Sequence, residues 1–496
     1  MNITKSGVSA AALVAALAAQ STEASVADPA SVPGRHHARA PEPRPPQHAP
    51  SAADDRPNIV LVLVDDMRTD ELTFLADTKR LMNRQGVFFR NAISPHPLCC
   101  PARAELVSGQ YGSNNGVRHN NGRFGGLRAL RHRADTVPAW LYDSGYQTGY
   151  LGKYLNAYQN SREHGWTTWQ PLVTAMVSRY TSYQFRGKRK VTKGYVTHAI
   201  ERKTNRMVRD FSGAGRPFFL VVNHTAPHAR TMGNDQDPPV PSRRYRNYPV
   251  TTRDLGYFLD KPSFNKRHLT DVPPSLEQPR LGDRTYIDDA IGRIRALQSV
   301  DDAMESLVAV LAERRELDHT YIVFASDNGY LLGEHRLTRK NHLVRESLDV
   351  PIVVRGPGVE RRAVSRRIVS LVDLPRTFLD IAGVAPRRPV DGASILPLLR
   401  RPGGPWRDTT LVQTGDENGW ALRGVQTPRY LYAMDVRSHG HNYLFDRRRD
   451  PYERRNVIGA DRYRRVVKEL RRRYYALADC SGRNCNRVFG GDPSPR

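Results

Sequence analysis

The chain alternates between short apolar runs and longer segments with helical periodicity. Three uninterrupted apolar runs lie at residues 58–64, 217–223 and 320–325. Such runs are typical of strands that are buried on both faces of a parallel sheet. Residues 72–85 and 286–317 are predicted helices, and the second has apolar side chains at clear amphipathic spacing. The pattern predicts an α/β fold with a parallel sheet.

The pattern changes after Gly403 and Gly404. The segments beyond them are short and alternate between apolar and polar residues, at 409–413, 420–426, 430–434 and 443–446. Alternation of this kind indicates a small antiparallel sheet, and a basic helix is predicted over residues 462–477. We therefore predict a main domain over residues 58–402 and a C-terminal α+β subdomain over residues 403–496.

The first 57 residues look different from the rest of the chain. Residues 1–27 combine Lys5, an apolar stretch and a small-residue cleavage site, which is the pattern of a signal peptide. Residues 28–57 are rich in Pro and Ala and are predicted to be a linker. No apolar stretch is long enough to cross a bilayer. We expect an exported protein, secreted or extracytoplasmic, without a membrane span.

The charge balance is strongly basic, with a formal net charge of +26. A basic surface suits an anionic partner such as nucleic acid, acidic lipid or a sulfated sugar, although a general bias of the composition towards Arg explains it equally well. The chain has four cysteines. Cys480 and Cys485 could form a small disulfide in an oxidising compartment. Cys99 and Cys100 are adjacent, and neighbouring cysteines rarely bond to each other because the geometry is strained.

Two of the apolar runs end in side chains that carry oxygen ligands. Asp65 and Asp66 follow the first run, and Asp327 and Asn328 follow the run at 320–325. Sites in open α/β sheets lie at the carboxyl ends of the strands. Three carboxylates and an amide carbonyl are suitable ligands for a hard cation such as Ca²⁺. The alternative for each pair is an ordinary turn or helix cap.

A third polar site is predicted around Cys99. Pro101 suits the first turn of a helix and Gly109 is a plausible end, so Cys99 would lie at a helix N-terminus. Arg103 would lie one turn further along the same side. A helix N-terminus favours an anion, so this arrangement could hold a small oxyanion against a reactive residue. The alternative is a buried thiol pair on an ordinary helix.

The stretch Cys99-x-Pro101-x-Arg103, with Leu106 and Gly109 after it, resembles the signature of the type I sulfatases. Four further features resemble motifs of that family and occur in the same order along the chain. These features are the acidic strand ends, Gly152-Lys153, Ala226-Pro227-His228 and the segment from Gly333 to Lys340. The forms Leu-Cys-Cys-Pro at 98–101 and Gly-Lys-Tyr-Leu-Asn at 152–156 are most similar to the N-acetylglucosamine-6-sulfatase branch.

The resemblance implies a fold like that of alkaline phosphatase, in which a large, mixed but mostly parallel sheet is sandwiched by helices. It also implies a set of roles for individual residues. Cys99 would be oxidised to formylglycine (3-oxoalanine) by a formylglycine-generating enzyme, and its hydrated aldehyde would be the nucleophile. A calcium ion would be bound by Asp65, Asp66, Asp327, Asn328 and the modified Cys99. Arg103 would hold the formylglycine diol, Lys153 and Lys340 would bind the sulfate, and His228 would protonate the leaving oxygen, with His224 as a weaker candidate for that step.

Three functions follow from these observations. The preferred one is hydrolysis of sulfate esters, either of amino sugars and glycosaminoglycans or of aryl alcohols, with no nucleic acid as a partner. The second is a phosphodiesterase or phosphonate monoester hydrolase, because those enzymes share the implied fold and a similar metal site. The third is a non-enzymatic protein that binds sulfated polysaccharide through its Arg-rich surface.

Overall fold

An eight-stranded sheet forms the centre of the structure. The structure is a computed structural model, and it describes residues 54–495 apart from 160, 174–178, 231–236, 268–277 and 438–441. Its strands run in the order β12-β2-β11-β8-β1-β7-β3-β4, and β11 alone is antiparallel to its neighbours. With strands numbered in chain order, they are β1 (Asn58–Val64), β2 (Val87–Ile93), β3 (Gln147–Gly152), β4 (Thr168–Pro171), β7 (Phe218–Asn223), β8 (Thr320–Ser326), β11 (Ile352–Arg355) and β12 (Ala363–Ser370). The predicted large and mostly parallel sheet is confirmed.

Helices cover both faces of this sheet, because successive residues of a strand point to opposite sides. Ile59, Leu61 and Leu63 of β1 pack in one apolar cluster, and Val60 and Val62 pack in the other. The first cluster includes residues of α2, α4 and α9, and the second includes residues of α5 and α7. The helices are α1 (Ala76–Leu81), α2 (Cys99–Ser108), α3 (Gly112–Asn115), α4 (Val137–Asp143), α5 (Val196–Ser212), α6 (Thr252–Leu259), α7 (Asp283–Glu313), α8 (Arg345–Leu348), α9 (Asp373–Ile381), α10 (Leu396–Arg400) and α11 (Arg464–Leu477).

Helix α2 begins and ends where the sequence predicts. Leu98 is extended, Cys99 is the first helical residue, and all ten residues of the helix are buried. Gly109 ends it with φ of 69°, a left-handed conformation that glycine adopts without strain. The buried helix therefore holds Cys99 at a fixed position beside the ends of the central strands.

The predicted helix over residues 72–85 is wrong in its extent. The structure has a 3-10 turn at Asp70–Phe74, the short helix α1, and a second 3-10 turn at Asn83–Gln85. The N-terminus of α1 is capped from another helix, because the Asp301 carboxylate accepts hydrogen bonds from the backbone N–H groups of Asp77 and Thr78. A cap supplied from α7 cannot be identified from the local sequence. Helix α5 was not predicted at all.

The C-terminal part contains the predicted antiparallel sheet, whose strands are β13 (Thr410–Asp416), β14 (Gly419–Gln426), β15 (Tyr430–Asp435) and β16 (Tyr443–Asp446). Helix α11 packs on it through Val466, Leu470 and Leu477. The disulfide between Cys480 and Cys485 is present, as predicted. Two-stranded ribbons are formed by β5 (Ser182–Tyr183) with β6 (Thr192–Lys193), and by β9 (Leu331–Leu332) with β10 (Thr338–Arg339).

The structure does not test every prediction made from the sequence. The predicted signal peptide at 1–27 and the linker up to residue 53 lie outside the described residues. The boundary after residue 402 stays a prediction. Within the described ranges, no helix is both long enough and apolar enough to cross a bilayer.

Candidate active site

Four adjacent parallel strands bring their carboxyl ends to one edge of the sheet. Strand β1 lies between β8 and β7, and β3 follows β7. The register aligns Val64 with Ser326, and Asn223 with both Leu63 and Gly152. The residues immediately after the strands therefore meet at this edge, and they are Asp65 and Asp66 after β1, Asp327 and Asn328 after β8, and Lys153 after β3.

The thiol of Cys99 lies among these side chains. Its Sγ is 3.7 Å from Asp65 Oδ1, 3.9 Å from Asp66 Oδ1 and 2.9 Å from Lys340 Nζ. The residue is 1% exposed. Burial raises the pKa of the thiol to about 11, although Lys153 and Lys340 oppose the shift. The thiolate fraction at pH 7 is then roughly one part in ten thousand, so an unmodified Cys99 is a poor nucleophile.

Two lysines neutralise the adjacent aspartates. Lys153 Nζ forms an ion pair with Asp65, and Lys340 Nζ forms one with Asp66. Burial alone would raise the pKa of each carboxyl, but the neighbouring cations outweigh it and hold both pKa values below their usual range. The same ion pairs raise the pKa values of both lysines, so all four groups are charged at neutral pH.

His228 lies at the same edge in a neutral form. Its Nε2 is 3.7 Å from Asp66 Oδ2, and its Nδ1 is 2.8 Å from the carbonyl oxygen of Ala229. A carbonyl oxygen only accepts, so Nδ1 carries the proton in that hydrogen bond and Nε2 is left without one. Burial, reinforced by Lys340, lowers the pKa of His228 to about 4. His224 also has its pKa lowered to about 4 by burial, and its Nδ1 has no hydrogen-bond partner among the described residues.

Arg103 ties the ends of three strands together. Its Nε and Nη2 lie 2.9 Å from Asp327 Oδ2, and its Nη1 donates to Asn223 Oδ1 at 2.8 Å and to the carbonyl oxygen of Lys153 at 3.0 Å. Its Nη2 is 3.9 Å from Asp65 Oδ1. These contacts hold the strand ends in place, so Arg103 positions the other site residues as well as adding positive charge.

Two aspartates at this edge belong to a group of side chains, with a thiol and an imidazole, that could meet at one metal ion. Ligand atoms of Asp65, Asp66, Cys99 and His228 all lie within 4.8 Å of one another. Asn328 Nδ2 donates to Asp66 Oδ1 at 2.8 Å, and its Oδ1 is buried without a hydrogen-bond partner among the residues described. A buried amide oxygen with no donor is costly unless a ligand satisfies it. Carboxylate and amide oxygens are the donors that Ca²⁺ prefers.

Asp327 differs from the other two aspartates. Its Oδ2 contacts Arg103, and its Oδ1 accepts from the backbone N–H groups of Asp66 at 3.1 Å and Asn328 at 2.9 Å. Burial and the negative charge of Asp65 raise its pKa to about 6, against the effect of Arg103. As a metal ligand, Asp327 would have to exchange some of these contacts, just as Asp65 and Asp66 would exchange their lysine pairs.

Sequence comparisons agree with this geometry. Residues 57–384, more than half of the chain, match the protein family described as Sulfatase, and residues 333–479 match the family described as N-sulphoglucosamine sulphohydrolase, C-terminal. The human N-acetylglucosamine-6-sulfatase is 32% identical over 392 residues, which cover 73% of this chain and 68% of that protein. The chain belongs to the sulfatase family.

Other relatives of this sulfatase-family chain are longer. The Drosophila melanogaster protein named Extracellular sulfatase SULF-1 homolog is 34% identical over 382 residues, which cover 73% of this chain and 33% of that protein. A Caenorhabditis elegans Sulf-1 homolog is 29% identical over 388 residues and is covered over 53% of its length. The chain thus spans between a third and about half of these two relatives.

Solved structures have the same sulfatase fold. One is a protein in complex with its substrate D-glucosamine-2-N,6-O-disulfate, with a TM-score of 0.69 and 22% identity over 85% of this chain and 97% of the other. Another is the phosphonate monoester hydrolase of Agrobacterium radiobacter, with a TM-score of 0.66 and 20% identity over 89% of this chain and 100% of the other. At these identities the matches establish the fold alone.

One residue that holds the candidate site together was not predicted from the sequence. Arg293 of α7 is fully buried and donates to the carbonyl oxygen of Asp66 at 2.5 Å and to that of Pro227 at 3.5 Å. It also pairs with Glu71 through Nε at 2.6 Å. Asp66 has φ of 69°, a conformation that non-glycine residues rarely adopt, so the Arg293 contact helps to hold it. The sequence feature that could have identified Arg293 is its position on the apolar face of the predicted helix, three residues after Ala290.

Proposed function

We propose that the chain hydrolyses sulfate esters of carbohydrates. The observation that carries the proposal is the position of Cys99, the first residue of a buried helix, in contact with Lys340 and beside Asp65 and Asp66. A sulfate group at the helix N-terminus would meet the positive end of the helix dipole and two ammonium groups. The family membership supports the same reaction.

Cys99 is the proposed site of oxidation to formylglycine, carried out by a formylglycine-generating enzyme. The Cys-x-Pro-x-Arg stretch at residues 99–103 and the membership of the sulfatase family support this. The hydrated aldehyde would supply an oxygen nucleophile, and its second hydroxyl would allow the sulfate to be expelled afterwards. A serine at this position lacks that second hydroxyl and would be left as a stable sulfate ester.

The proposed metal is Ca²⁺, held by Asp65, Asp66, Asp327 and Asn328 together with the modified Cys99. The ion would polarise the sulfate oxygens and orient the nucleophile. The unpartnered Oδ1 of Asn328 and the all-oxygen set of side chains from the strand ends support calcium over zinc. Lys153 and Lys340, which pair with the aspartates in this structure, would then be available to sulfate.

The remaining side chains have proposed roles in stabilising charge and moving protons. Lys153 and Lys340 would neutralise charge that develops on the sulfate oxygens in the transition state. Arg103 would hold the nucleophilic group of the modified Cys99 while keeping Asp327 in place. His228 would first take up a proton on Nε2, which is unprotonated in this structure, and would then donate it to the departing sugar oxygen. An anionic substrate beside His228 favours that protonated form, which burial alone disfavours.

The proposed substrate carries a sulfate on the primary alcohol of an amino sugar, in a free sugar or a glycosaminoglycan. The human relative is named N-acetylglucosamine-6-sulfatase. The sequences Leu-Cys-Cys-Pro at 98–101 and Gly-Lys-Tyr-Leu-Asn at 152–156, which resemble that branch of the family, support the same substrate. Aryl sulfates are expected as model substrates. We also propose that the protein is secreted or extracytoplasmic, which the predicted signal peptide and the extracellular relatives support.

The experiment measures product release from three esters by the purified protein. Sulfate released from glucosamine 6-sulfate and from 4-nitrophenyl sulfate is quantified by ion chromatography, and phosphonate release from a phenyl phosphonate monoester is measured beside it. We expect both sulfates to be cleaved and Cys99→Ala to abolish the release. Cys100→Ala is the matched control, because this neighbouring buried thiol has no proposed role and its variant should retain activity.

The phosphonate arm tests the second candidate function, which the fold match to the Agrobacterium hydrolase favours. Faster cleavage of the phosphonate than of either sulfate would contradict the sulfatase proposal. Cleavage of 4-nitrophenyl sulfate alone would remove the amino-sugar branch and keep the reaction type. No release from any ester, with sulfated polysaccharide still bound after chelation, would favour the non-enzymatic binder.

A further inference from the structure

A dense basic segment lies beside the active site and has no role in the mechanism above. Residues 179–209 contain ten Lys and Arg residues and a single acidic residue, Glu201. In the structure this segment forms the ribbon of β5 and β6, the turn between them, and the first four turns of α5. Several of these cations line two adjoining grooves.

The ribbon and the helix enclose a groove against the edge strand β4. The groove has a volume of about 360 Å³, and its lining includes Lys188 from the ribbon turn, Lys203 and Arg206 from α5, and Gln170 from β4. A smaller groove of about 220 Å³ lies on the other side of Lys203 and Arg206 and is lined by Arg202 and Tyr183. We call these two adjoining spaces the basic groove.

Four cations of the basic groove form no ion pair with a carboxylate among the described residues, although Asp210 also lines the larger space. Within the part of the chain that the structure describes, Lys188, Arg202, Lys203 and Arg206 form no ion pair, whereas Arg209, on the next turn of α5, pairs with Glu313 at 2.9 Å.

Lys203 shows that this charge is concentrated. Its Nζ donates to Gln170 Oε1 at 2.6 Å and lies 4.8 Å from the centre of the Phe185 ring. Burial lowers its pKa, and the charges of Lys188 and Arg206 lower it further. Neighbouring cations that repel one another in this way are stabilised by an external anion.

The basic segment contacts the active site through Tyr180. This buried residue lies two residues before β5, and its hydroxyl donates to the carbonyl oxygen of His228 at 2.6 Å. The ribbon therefore starts at the wall of the site that carries the proposed acid. A polymer with one sugar at Cys99 could continue from the His228 side onto the ribbon.

We propose that the basic groove binds sulfate groups of a sulfated polysaccharide chain at sugars other than the one being hydrolysed. The proposal rests on the proposed function, because it assigns the same anion chemistry to the surface that adjoins the site. Guanidinium and ammonium groups without carboxylate partners bind sulfate oxygens through charge-assisted hydrogen bonds. The groove would therefore favour long sulfated chains over single sugars.

The test compares two triple variants that remove the same charge. The groove variant is Lys188→Gln, Lys203→Gln and Arg206→Gln. The control variant is Arg465→Gln, Lys468→Gln and Arg471→Gln, three exposed cations of α11 for which the described residues form no ion pair. KM and kcat are measured on a heparin-like oligosaccharide of at least eight sugars and on 4-nitrophenyl sulfate, at two salt concentrations.

We expect the groove variant to raise KM for the oligosaccharide about tenfold or more, since three charge-assisted contacts are lost. Its salt dependence should become weaker, because fewer counterions are displaced. Both variants should keep kcat and KM on the small ester within about twofold. An equal rise in KM for both variants would overturn the proposal, because it would show that net charge alone attracts the chain, and an unchanged KM would overturn it as well.

A binding arm separates this proposal from the proposed function. Cys99→Ala protein, with and without the groove substitutions, is titrated with the oligosaccharide and with single-stranded DNA of equal charge. Groove-dependent binding of the oligosaccharide supports the groove even if no ester is hydrolysed. Normal hydrolysis of small esters with groove-independent binding would overturn the groove and leave the sulfatase proposal intact. Equal affinity for DNA would overturn the assignment to sulfated polysaccharide.

Discussion

Two buried charge clusters lie next to each other at the ends of β1 and β8, and they are built differently. The first is the active-site cluster of Asp65, Asp66, Lys153, Lys340 and Cys99. The second, which we call the arginine network, is built from Arg68, Asp70, Glu71, Lys261, Arg293 and Glu334. Both combine carboxylates with cations that are mostly buried, although Asp70 in the second cluster is partly exposed. The difference between them lies in how completely the polar atoms are paired.

Every carboxylate in the arginine network has donors on both oxygens. Glu334 accepts from Arg68 through Oε1 and from the backbone N–H of Leu332 through Oε2, both at 2.8 Å. Glu71 accepts from Arg293 Nε through Oε1 and from the backbone N–H of Arg68 through Oε2. Burial opposes ionisation of Glu334, yet Arg68 and Lys261 lower its pKa to about 2. This network is satisfied by the protein alone.

The active-site cluster is not satisfied in that way. Asn328 Oδ1 has no hydrogen-bond partner in the described part of the chain, and Lys340 Nζ contacts a protonated thiol as well as Asp66. Buried polar groups that lack partners are costly, and they are tolerated where a ligand completes them. The comparison therefore separates a cluster that stabilises the fold from one that is completed by a metal and a substrate. Four variants, given in order of their expected effect on turnover, test that separation.

Asp65→Asn should have the largest effect. It keeps the shape of the side chain and removes the charge that would bind the metal, so kcat should fall at least about 1,000-fold and the bound cation should be lost. Elemental analysis and sulfate release are measured on the same sample. Wild-type protein that has been chelated and then given Ca²⁺ back is the control and should recover. An Asp65→Asn protein with normal activity and one bound cation would contradict the ligand assignment.

His228→Ala should have a large effect that depends on the leaving group. A sugar alkoxide leaves poorly without a proton, so turnover of glucosamine 6-sulfate should fall about 100-fold. A nitrophenolate leaves readily unprotonated, so cleavage of 4-nitrophenyl sulfate should fall far less. His224→Ala, at the weaker candidate, is compared with it. Equal losses of His228→Ala on both esters would assign His228 to sulfate binding or to structure.

Arg293→Met should affect stability more than chemistry. It leaves Glu71 charged and buried without its partner, which costs about 3–5 kcal/mol of unfolding free energy, measured by urea denaturation. Cation affinity and turnover should each fall about tenfold, because the Asp66 carbonyl oxygen loses its donor. In the double variant Glu71→Met and Arg293→Met, stability should largely return while cation affinity stays low. Affinity that returned together with stability would leave Arg293 with a structural role alone.

Lys261→Met should have the smallest effect on turnover. Lys261 contacts Asp70, Glu334 and Glu346 at 2.8, 3.2 and 3.3 Å, and Arg68 still neutralises two of these carboxylates in its absence. We expect a loss of stability of about 1–3 kcal/mol and turnover within about twofold of wild type. A loss of turnover as large as that of Asp65→Asn would show that the two clusters do not have separate roles.

The sequence was informative where the signal is local. The apolar runs predicted β1, β7 and β8 because each is buried on both faces, and Pro101 and Gly109 predicted the ends of α2. Five spaced motifs identified the family and placed Asp65, Asp66, Cys99, Lys153 and Lys340 together. The failures concern long-range contacts. The Asp301 cap that shortens α1 and the Arg293 contact with Asp66 both come from α7, more than 200 residues away.

Helix α5 is a different kind of failure. Val196, Ile200, Met207, Val208 and Phe211 are buried at helical spacing, so the apolar pattern was present in the sequence. Many cations lie between them and no side chain caps the N-terminus, so the segment lacks the usual start signal of a helix and received no prediction. The same cations form part of the basic groove, so the missed helix is also where the further binding site is proposed.

The central claim is that Cys99 is chemically converted before it acts, and mass spectrometry of the tryptic peptide that contains Cys99 and Cys100 tests it most directly. Purified active protein should give a peptide lighter by about 18 Da than the unmodified form, with the change on Cys99 and with reactivity towards an aldehyde-specific hydrazine. Cys100 should alkylate as an ordinary thiol. Fully active protein in which Cys99 is an unmodified cysteine would contradict the account.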